Sequence, residues 1–258
     1  MKLKGNTIFI TGGGSGIGRG LAEALHKLGN KVIIAGRRRG HLRAVVAANP
    51  GMAALELDIA DPASIDRAAK QLIAEHPDVN VLINNAGIMQ PDQAGGKIDD
   101  SLLVATINTN LVGSIRMTSA LIEHLKSQDE AVVAYTSSVL GFVPLALTAV
   151  YSSTKAALHS YALSQRFMLR DTNVLVLEIV PPWVRTELMN SQEAEQAMPL
   201  DQFIGEAIAV LGTDANEIVV AAAKPLRDNV GPAENGLVEA FNAQMLSLFS
   251  ESQAAAGQ

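Results

Sequence analysis

The chain has 258 residues, 48% of them hydrophobic, and a net charge of −6. This length and composition support a sizeable core and argue against disorder, while the acidic balance argues against nucleic acid as the main partner. The absence of cysteine excludes disulfides and thiol catalysis, and the five histidines lack the spacing of a zinc site, so we expect no metal. No apolar run is long enough for a signal peptide or a membrane span, which favours a cytoplasmic protein with no membrane partner.

Short apolar runs alternate with longer helical segments along the chain. The runs are rich in β-branched residues and mostly apolar on both faces, as the buried strands of a parallel sheet are. The predicted strands are Thr7–Thr11, Lys31–Ala35, Ala53–Leu57, Val81–Asn84, Ala131–Thr136 and Val174–Val180, with Glu217–Val220 as a candidate seventh.

The segments between the strands have helical length and composition. They are Ile17–Leu28, Arg39–Ala48, Pro62–Glu75, Asp99–Lys126, Val150–Arg170 and a terminal Leu237–Phe249. The third has a helix start at Asp61-Pro62, a capping side chain followed by proline at the first helical position. This alternation predicts an α/β fold, a Rossmann-like, doubly wound parallel sheet of about seven strands with helices on both faces. We expect a single domain over residues 1–249 and a frayed, disordered tail over 250–258.

A glycine-rich stretch, TGGGSGIG at residues 11–18, joins the first strand to the first helix. It fits neither G-x-G-x-x-G nor the phosphate loop G-x-x-x-x-G-K-[ST], because Ile17 and Arg19 stand where those motifs need other residues. What remains is Gly12-x-x-x-Gly16-x-Gly18. At the carboxyl end of the sheet and the start of a helix, this loop favours an anion such as a pyrophosphate, although a turn without a ligand is the alternative.

A second pattern lies where the fifth predicted strand ends and the long helical segment after it begins. Tyr151 and Lys155 are four residues apart, so they share one face of that helix. Ser137 and Ser138 follow the fifth strand directly and therefore also lie at the carboxyl end of the sheet. Taken alone, a Tyr/Lys pair at this spacing is most often a solvated pair, and its meaning depends on the other motifs.

Five motifs occur together in order: TGGGSGIG, then NNAG at 84–87, Asn110 in NLVG, Ser138, and YSSTK at 151–155. In order and spacing, from the first strand to about Thr186, they resemble the short-chain dehydrogenase/reductase family. The resemblance is closest to an NADP-preferring, carbonyl reductase-like branch. It differs at Pro181-Pro182, where most members of the family have Pro-Gly.

The resemblance implies hydride transfer between a nicotinamide and a carbonyl or alcohol carbon, with Tyr151 as general acid/base. Lys155 is then expected to lower the phenol's pKa from about 10 and to bind the nicotinamide ribose. Ser138 would hold the substrate oxygen, and Asn110 would anchor a water that relays protons to Lys155. Asn108 and Ser137 are the alternatives to Asn110 and Ser138, which fit the family spacing better.

The residues after the second strand favour NADP(H) over NAD(H). Gly36 stands where NAD enzymes carry an acidic residue, and Arg37 and Arg38 can bind a 2′-phosphate. Arg39 is interpreted as a solvated helix residue. The predicted cofactor contacts are Gly12, Gly14, Ser15, Gly16, Ile17, Gly18, Arg37, Arg38, Asp58, Ile59, Asn85, Ala86, Gly87, Tyr151, Lys155, Pro181, Val184 and Thr186.

The candidate substrate pocket is apolar, and residues 186–199 occupy the place of a mobile lid. Its predicted lining is Met89, Leu140, Phe142, Leu145, Trp183 and Met189. These residues indicate reduction of hydrophobic ketones or aldehydes to alcohols. The alternatives are a 3-oxoacyl-thioester reductase of the same family and a non-catalytic NADP(H)-binding sensor. The family habit also predicts a homo-oligomer, either a dimer or a tetramer.

Overall fold

A computed structural model describes residues 1–229, 231 and 233–256, with side chains described up to Leu248. Its centre is a seven-stranded parallel sheet in the order β3-β2-β1-β4-β5-β6-β7. The strands are β1 (Thr7–Thr11), β2 (Lys31–Gly36), β3 (Ala53–Glu56), β4 (Val79–Asn84), β5 (Ala131–Thr136), β6 (Val174–Val180) and β7 (Glu217–Val219). The predicted fold class is therefore confirmed, and the candidate seventh strand is present.

The helices cover both faces of the sheet, and an apolar core lies on each side of it. They are α1 (Gly16–Lys27), α2 (Arg39–Ala48), α3 (Pro62–Glu75), α4 (Asp100–Ile107), α5 (Gly113–Lys126), α6 (Ala149–Met168), α7 (Leu200–Leu211), α8 (Lys224–Arg227) and α9 (Glu234–Ala256). The predicted cap of α3 is confirmed, because the Asp61 side chain accepts hydrogen bonds from the backbone N–H groups of Ala63 and Ser64. Among the described residues, no helix is long and apolar enough to cross a membrane.

The order of the strands reverses between β1 and β4, which are neighbours in space although β2 and β3 lie between them in sequence. At such a point the connections after the two strands run to opposite faces of the sheet and leave a crevice at the carboxyl ends. The loop after β1 carries the glycine-rich stretch, and the loop after β4 carries Asn85, Ala86 and Gly87.

Residues 99–126, predicted as one helix, form two. A π-helical turn, Asn108–Val112, separates α4 from α5. This turn contains the buried Asn110, whose side chain is bound to the backbone of Ile88. Extra-residue turns of this kind are frequent at functional sites, and composition alone gives no sign of them.

Two helices near the carboxyl end differ from the prediction. No element was assigned to α7, although its buried residues Phe203, Ile204, Ala207 and Leu211 have helical spacing. The last helix, α9, begins before Leu237 and continues past Phe249 to Ala256, so helix occupies most of the segment for which a frayed tail was predicted. Alanines 254–256 are strong helix formers, which explains the difference. Gly257 and Gln258 lie outside the described residues.

Two helical glycines provide a matched test of packing at the glycine-rich loop. A Cβ at Gly18 in α1 would collide with the backbone oxygen of Gly12 and the side-chain amide of Asn85. A Cβ at Gly205 in α7 would meet nothing within 4 Å. We therefore expect Gly18→Ala to lower the free energy of unfolding by about 1–3 kcal/mol, and Gly205→Ala to raise it by about 0.5–1 kcal/mol.

Denaturant titrations of the two variants measure these changes. A Gly18→Ala protein as stable as the wild type would contradict the close packing of α1 on the loop.

Candidate active site

One cleft of about 490 Å³ opens at the carboxyl ends of the strands, over the point where the strand order reverses. It brings together most of the residues that the sequence singled out. From the predicted catalytic and cofactor sets, the lining residues are Gly12, Gly14, Ser15, Gly16, Ile17, Arg37, Arg38, Ile59, Asn85, Ala86, Gly87, Ser138, Tyr151, Lys155, Pro181, Val184 and Thr186. From the predicted substrate set they are Met89, Leu140, Leu145, Trp183 and Met189.

Four predicted site residues do not line this cleft. Gly18 is buried beneath the loop, and Asn110 is fully buried behind the wall of the cleft. Asp58 borders a neighbouring surface hollow, where its carboxylate accepts a hydrogen bond from the N–H of Ala60. Phe142 was predicted to line the substrate pocket, and that prediction is wrong. Its ring packs into the core against the His159 ring, 4.7 Å away between centroids.

The loop after β1 forms one end of the cleft. Gly12 has a φ of +69°, a left-handed conformation that favours glycine and turns the chain sharply before α1. The first turn of α1 contains no acidic side chain, so its N–H groups and dipole present positive potential to the cleft.

The arginines after β2 approach the same loop. Arg38 donates to the Ser15 hydroxyl at 2.6 Å and to the Glu187 carboxylate at 2.9 Å. Arg37 lines the cleft, whereas Arg39 is paired with Glu56 away from it. Two guanidinium groups thus lie beside the glycine-rich loop, at the end of a strand that carries Gly36 in place of an acidic residue.

Asn110 connects the π-helical turn to the loop after β4. Its side-chain oxygen accepts from the N–H of Ile88 at 2.8 Å, and its amide donates to the Ile88 carbonyl at 2.9 Å and to the Thr154 hydroxyl at 3.2 Å. The Asn110 side chain therefore fixes one wall of the cleft against α6. The choice of Asn110 over Asn108 as the anchor of a proton-relaying water stays a prediction.

Ser138, Tyr151 and Lys155 converge on the middle of the cleft. The Ser138 hydroxyl accepts from the N–H of Leu140 at 3.1 Å, and the Lys155 ammonium donates to the Thr136 carbonyl at 2.6 Å. The Lys155 nitrogen is 5.4 Å from the centre of the Tyr151 ring. Ser137, the alternative to Ser138, also lines the cleft, and its hydroxyl donates to the Ile179 carbonyl at 3.4 Å.

Burial dominates the ionisation of both titratable groups. It raises the pKa of Tyr151 to about 12, and a hydrogen bond with Ser138 opposes part of that rise. Burial lowers the pKa of Lys155 to about 8, and the charge of Glu178 opposes that fall. The expected lowering of the phenol's pKa by Lys155 is therefore not seen in the protein itself, where removal of the ring from water is the larger effect.

Sequence reasoning missed three residues that close the other end of the cleft. They are Leu226 on α8 and Phe241 and Met245 on α9. Helix α9 is held there by Asn242, whose amide donates to the Pro144 carbonyl at 2.9 Å and whose oxygen accepts from the N–H of Ala146. The apolar residues of α9 were visible in the sequence, but nothing in their pattern indicated which surface they cover.

A model of the short-chain dehydrogenase family matches residues 6–197. The chain thus belongs to this family of oxidoreductases, as the five motifs indicated. It is 35% identical to DltE of Bacillus subtilis (strain 168), an uncharacterized oxidoreductase, over 251 residues that cover 95% of this chain and 99% of the relative.

Two further relatives have more informative descriptions. An NADP-dependent 3-hydroxy acid dehydrogenase of Schizosaccharomyces pombe is 33% identical over 194 residues, covering 72% of this chain and 74% of the relative. The crystal structure of a short-chain dehydrogenase from Burkholderia cenocepacia J2315 in complex with NADP has a TM-score of 0.81 and 26% identity, covering 92% of this chain and 97% of that one.

Because Lys155 is buried, we expect its positive charge to lower the free energy of unfolding by a measurable amount. Its pKa is about 8 in the folded protein, below the ordinary 10.5. The charge therefore lowers the free energy of unfolding at every pH at which the side chain is protonated in the unfolded chain. We expect Lys155→Met to raise the free energy of unfolding near pH 7, without added nucleotide, by an amount on the order of 3 kcal/mol. The gain should be complete below about pH 8 and vanish as the pH rises toward 10.5.

Denaturant unfolding at several pH values checks this prediction. Lys70→Met, at an exposed position of α3, is the control and should change stability little at any pH. A Lys155→Met protein that is less stable than wild type at pH 7 would contradict the penalty.

Proposed function

We propose that this protein is an NADPH-dependent reductase that converts hydrophobic ketones and aldehydes to alcohols, and that also runs in reverse as an alcohol dehydrogenase. The proposal is carried by one observation. Ser138, Tyr151 and Lys155 meet in a cleft with a cationic, glycine-rich end and an apolar end. The first end suits a dinucleotide, and the second end suits an apolar carbonyl compound. The three polar groups lie between these two ends.

The residues at the first end fit the cofactor. The N-terminus of α1, without an acidic side chain, suits a pyrophosphate, and Gly12 permits the turn that brings the backbone close to it. Arg37 and Arg38 suit a 2′-phosphate, and Arg38 already binds an anionic group, the Glu187 carboxylate, at that place. Bound there, NADPH would supply the hydride. Solved relatives at 26% identity are complexed with NADP in one case and NADH in another, so the choice of NADPH rests on Arg37 and Arg38.

The three polar groups can perform the proton chemistry of carbonyl reduction. With its pKa near 12, Tyr151 is protonated at neutral pH and can donate its proton to the developing alkoxide. Ser138 can donate its hydroxyl hydrogen to the same oxygen and hold the carbonyl in place. Lys155 can hold the cofactor's ribose and, when charged, stabilise the phenolate left behind.

The apolar end of the cleft supports a hydrophobic substrate. Its lining residues include Met89, Leu140, Leu145, Trp183, Leu188, Met189, Leu226, Phe241 and Met245. The arginines of the described lining, Arg37 and Arg38, belong to the cofactor end. The 3-hydroxy acid in the name of the Schizosaccharomyces relative would require a cation at the apolar end, so we favour a substrate without a carboxylate.

A 3-oxoacyl-thioester reductase is the second candidate, and it requires basic side chains to receive an acidic carrier protein. Arg185 is the basic residue closest in sequence to the lid, and it is engaged within the lid instead. Its guanidinium donates to the carbonyls of Ala194, Glu195 and Ala197. For a non-catalytic sensor, the intact set of Ser138, Tyr151 and Lys155 would have no purpose.

Replacement of Tyr151 tests the reaction. We expect Tyr151→Phe to lower kcat/KM for NADPH-dependent reduction of an aryl ketone by about 10²–10⁴-fold, because the proton donor is removed while the ring remains. Tyr161→Phe, on the same helix and outside the lining of the cleft, is the matched control and should retain activity. Absorbance of the reduced nicotinamide follows both. If Tyr151→Phe equals wild type across a broad panel of carbonyl compounds, the protein is not this enzyme.

The choice of cofactor has a separate test. Arg37→Ala and Arg38→Ala should each raise the KM for NADPH by about 10–100-fold, because a charged hydrogen bond to phosphate is lost, and should leave the KM for NADH nearly unchanged. Arg39→Ala is the control, since Arg39 pairs with Glu56. An equal rise in the KM for NADPH and in the KM for NADH would show that the 2′-phosphate does not bind to Arg37 and Arg38.

A further inference from the structure

A buried carboxylate on β6 has no part in the chemistry described so far. Glu178 is fully buried and does not line the cleft. One of its oxygens accepts a hydrogen bond from Nδ1 of His159 at 2.7 Å, and the other has no hydrogen-bond partner among the described residues. A buried, half-satisfied carboxylate is costly unless a charge nearby compensates for it.

The fold places Glu178 on the side of the sheet that α6 covers, within electrostatic range of Lys155. Lys155 and His159 are four residues apart on α6, so they project from the same face of the helix. The Lys155 ammonium reaches the carbonyl of Thr136 on β5, and Glu178 lies on β6 beside Tyr135, the residue before Thr136. The ammonium and the carboxylate therefore occupy the same layer between α6 and the sheet, and the charge of Glu178 raises the pKa of Lys155 against the effect of burial.

The other charged groups around Glu178 are His159 and Arg166 on α6, Glu217 on β7, Arg227 on α8 and the adjacent Asp228. Glu217 takes both of its hydrogen bonds from Arg227, at 2.6 and 2.9 Å. The Phe142 ring lies under the Arg227 guanidinium, 4.4 Å away, and against His159. Arg227 is hydrogen-bonded to Glu217 and also lies in the electrostatic field of Glu178, whereas the hydrogen bond to Glu178 itself comes from His159.

We propose that Glu178, oriented by His159, is a positioning residue for Lys155: its buried negative charge keeps the lysine protonated where it can hold the ribose of the nicotinamide cofactor. The proposal rests on the proposed function, which gives Lys155 that role. It assigns a purpose to a buried carboxylate and a half-buried imidazole that none of the five motifs contains. Binding of the cofactor should consequently weaken at the pH where Lys155 loses its proton.

Titration of the protein with NADP⁺ in the absence of substrate, from about pH 6 to pH 9.5, tests this directly. In Glu178→Gln the countercharge is lost, so the pH at which binding weakens should fall by about one unit. For such a shift the dissociation constant should exceed that of wild type by about 5-fold at pH 8 and by about 9-fold at pH 9, and by less than 2-fold at pH 6. Glu178→Asp keeps the charge and should restore most of the wild-type profile.

Glu123→Gln, at an exposed position of α5, removes one negative charge far from this cluster, and its pH profile should match that of wild type. A Glu178→Gln protein that binds more weakly by the same factor at every pH, or a shift equal to that of Glu123→Gln, would overturn the proposal. Turnover of the wild type with an aryl ketone is measured in parallel. A pH shift in binding without turnover would refute the proposed function alone, and turnover without a pH shift would refute the role of Glu178 alone.

Discussion

Lys155 carries its ammonium group into the interior of the protein, where only 3% of the residue is exposed. A buried cation is stable only where dipoles and charges replace its hydration. The carboxyl ends of β5 and β6 provide them, the first through the Thr136 carbonyl and the second through Glu178. Helix α6 must pack across these two strand ends for the lysine to reach them, and the same packing places Tyr151 one turn earlier, at the cleft.

The neighbouring walls are held by connections of the same kind, between polar side chains and backbone. Asn110 fixes the loop after β4, Arg185 holds the segment 186–199 through three backbone carbonyls, and Asn242 holds α9 against residues 144–146. In the segment 186–199, Met189 and Asn190 adopt positive φ angles of 55° and 52°, an uncommon conformation for residues other than glycine. The cleft is thus shaped by a few long-range hydrogen bonds around a rigid sheet.

The sequence predicted the parts of the structure that depend on local chemistry or fixed spacing. Alternating apolar runs indicated the strands, Asp61 marked the start of α3, and the family spacing selected Ser138 and Tyr151, which line the same cleft. Phe142 was misplaced because an apolar residue near a site has the same signature whether it faces the cleft or the core. Tertiary contacts such as Arg38 with Glu187, Glu178 with His159, and α9 over the cleft have no local signal. The oligomeric state stays a prediction.

If this cleft transfers a hydride to a carbonyl carbon, as we propose, isotope transfer from the reduced nicotinamide reveals it. Wild-type protein is incubated with an aryl ketone and NADPH that carries deuterium at the transferable position, and the alcohol is examined by mass spectrometry. We expect one deuterium on the carbinol carbon, with one stereoisomer in excess because the pocket holds the ketone in one orientation. Tight binding of NADPH with no deuterium in any alcohol product, across a broad set of carbonyl compounds, would contradict it.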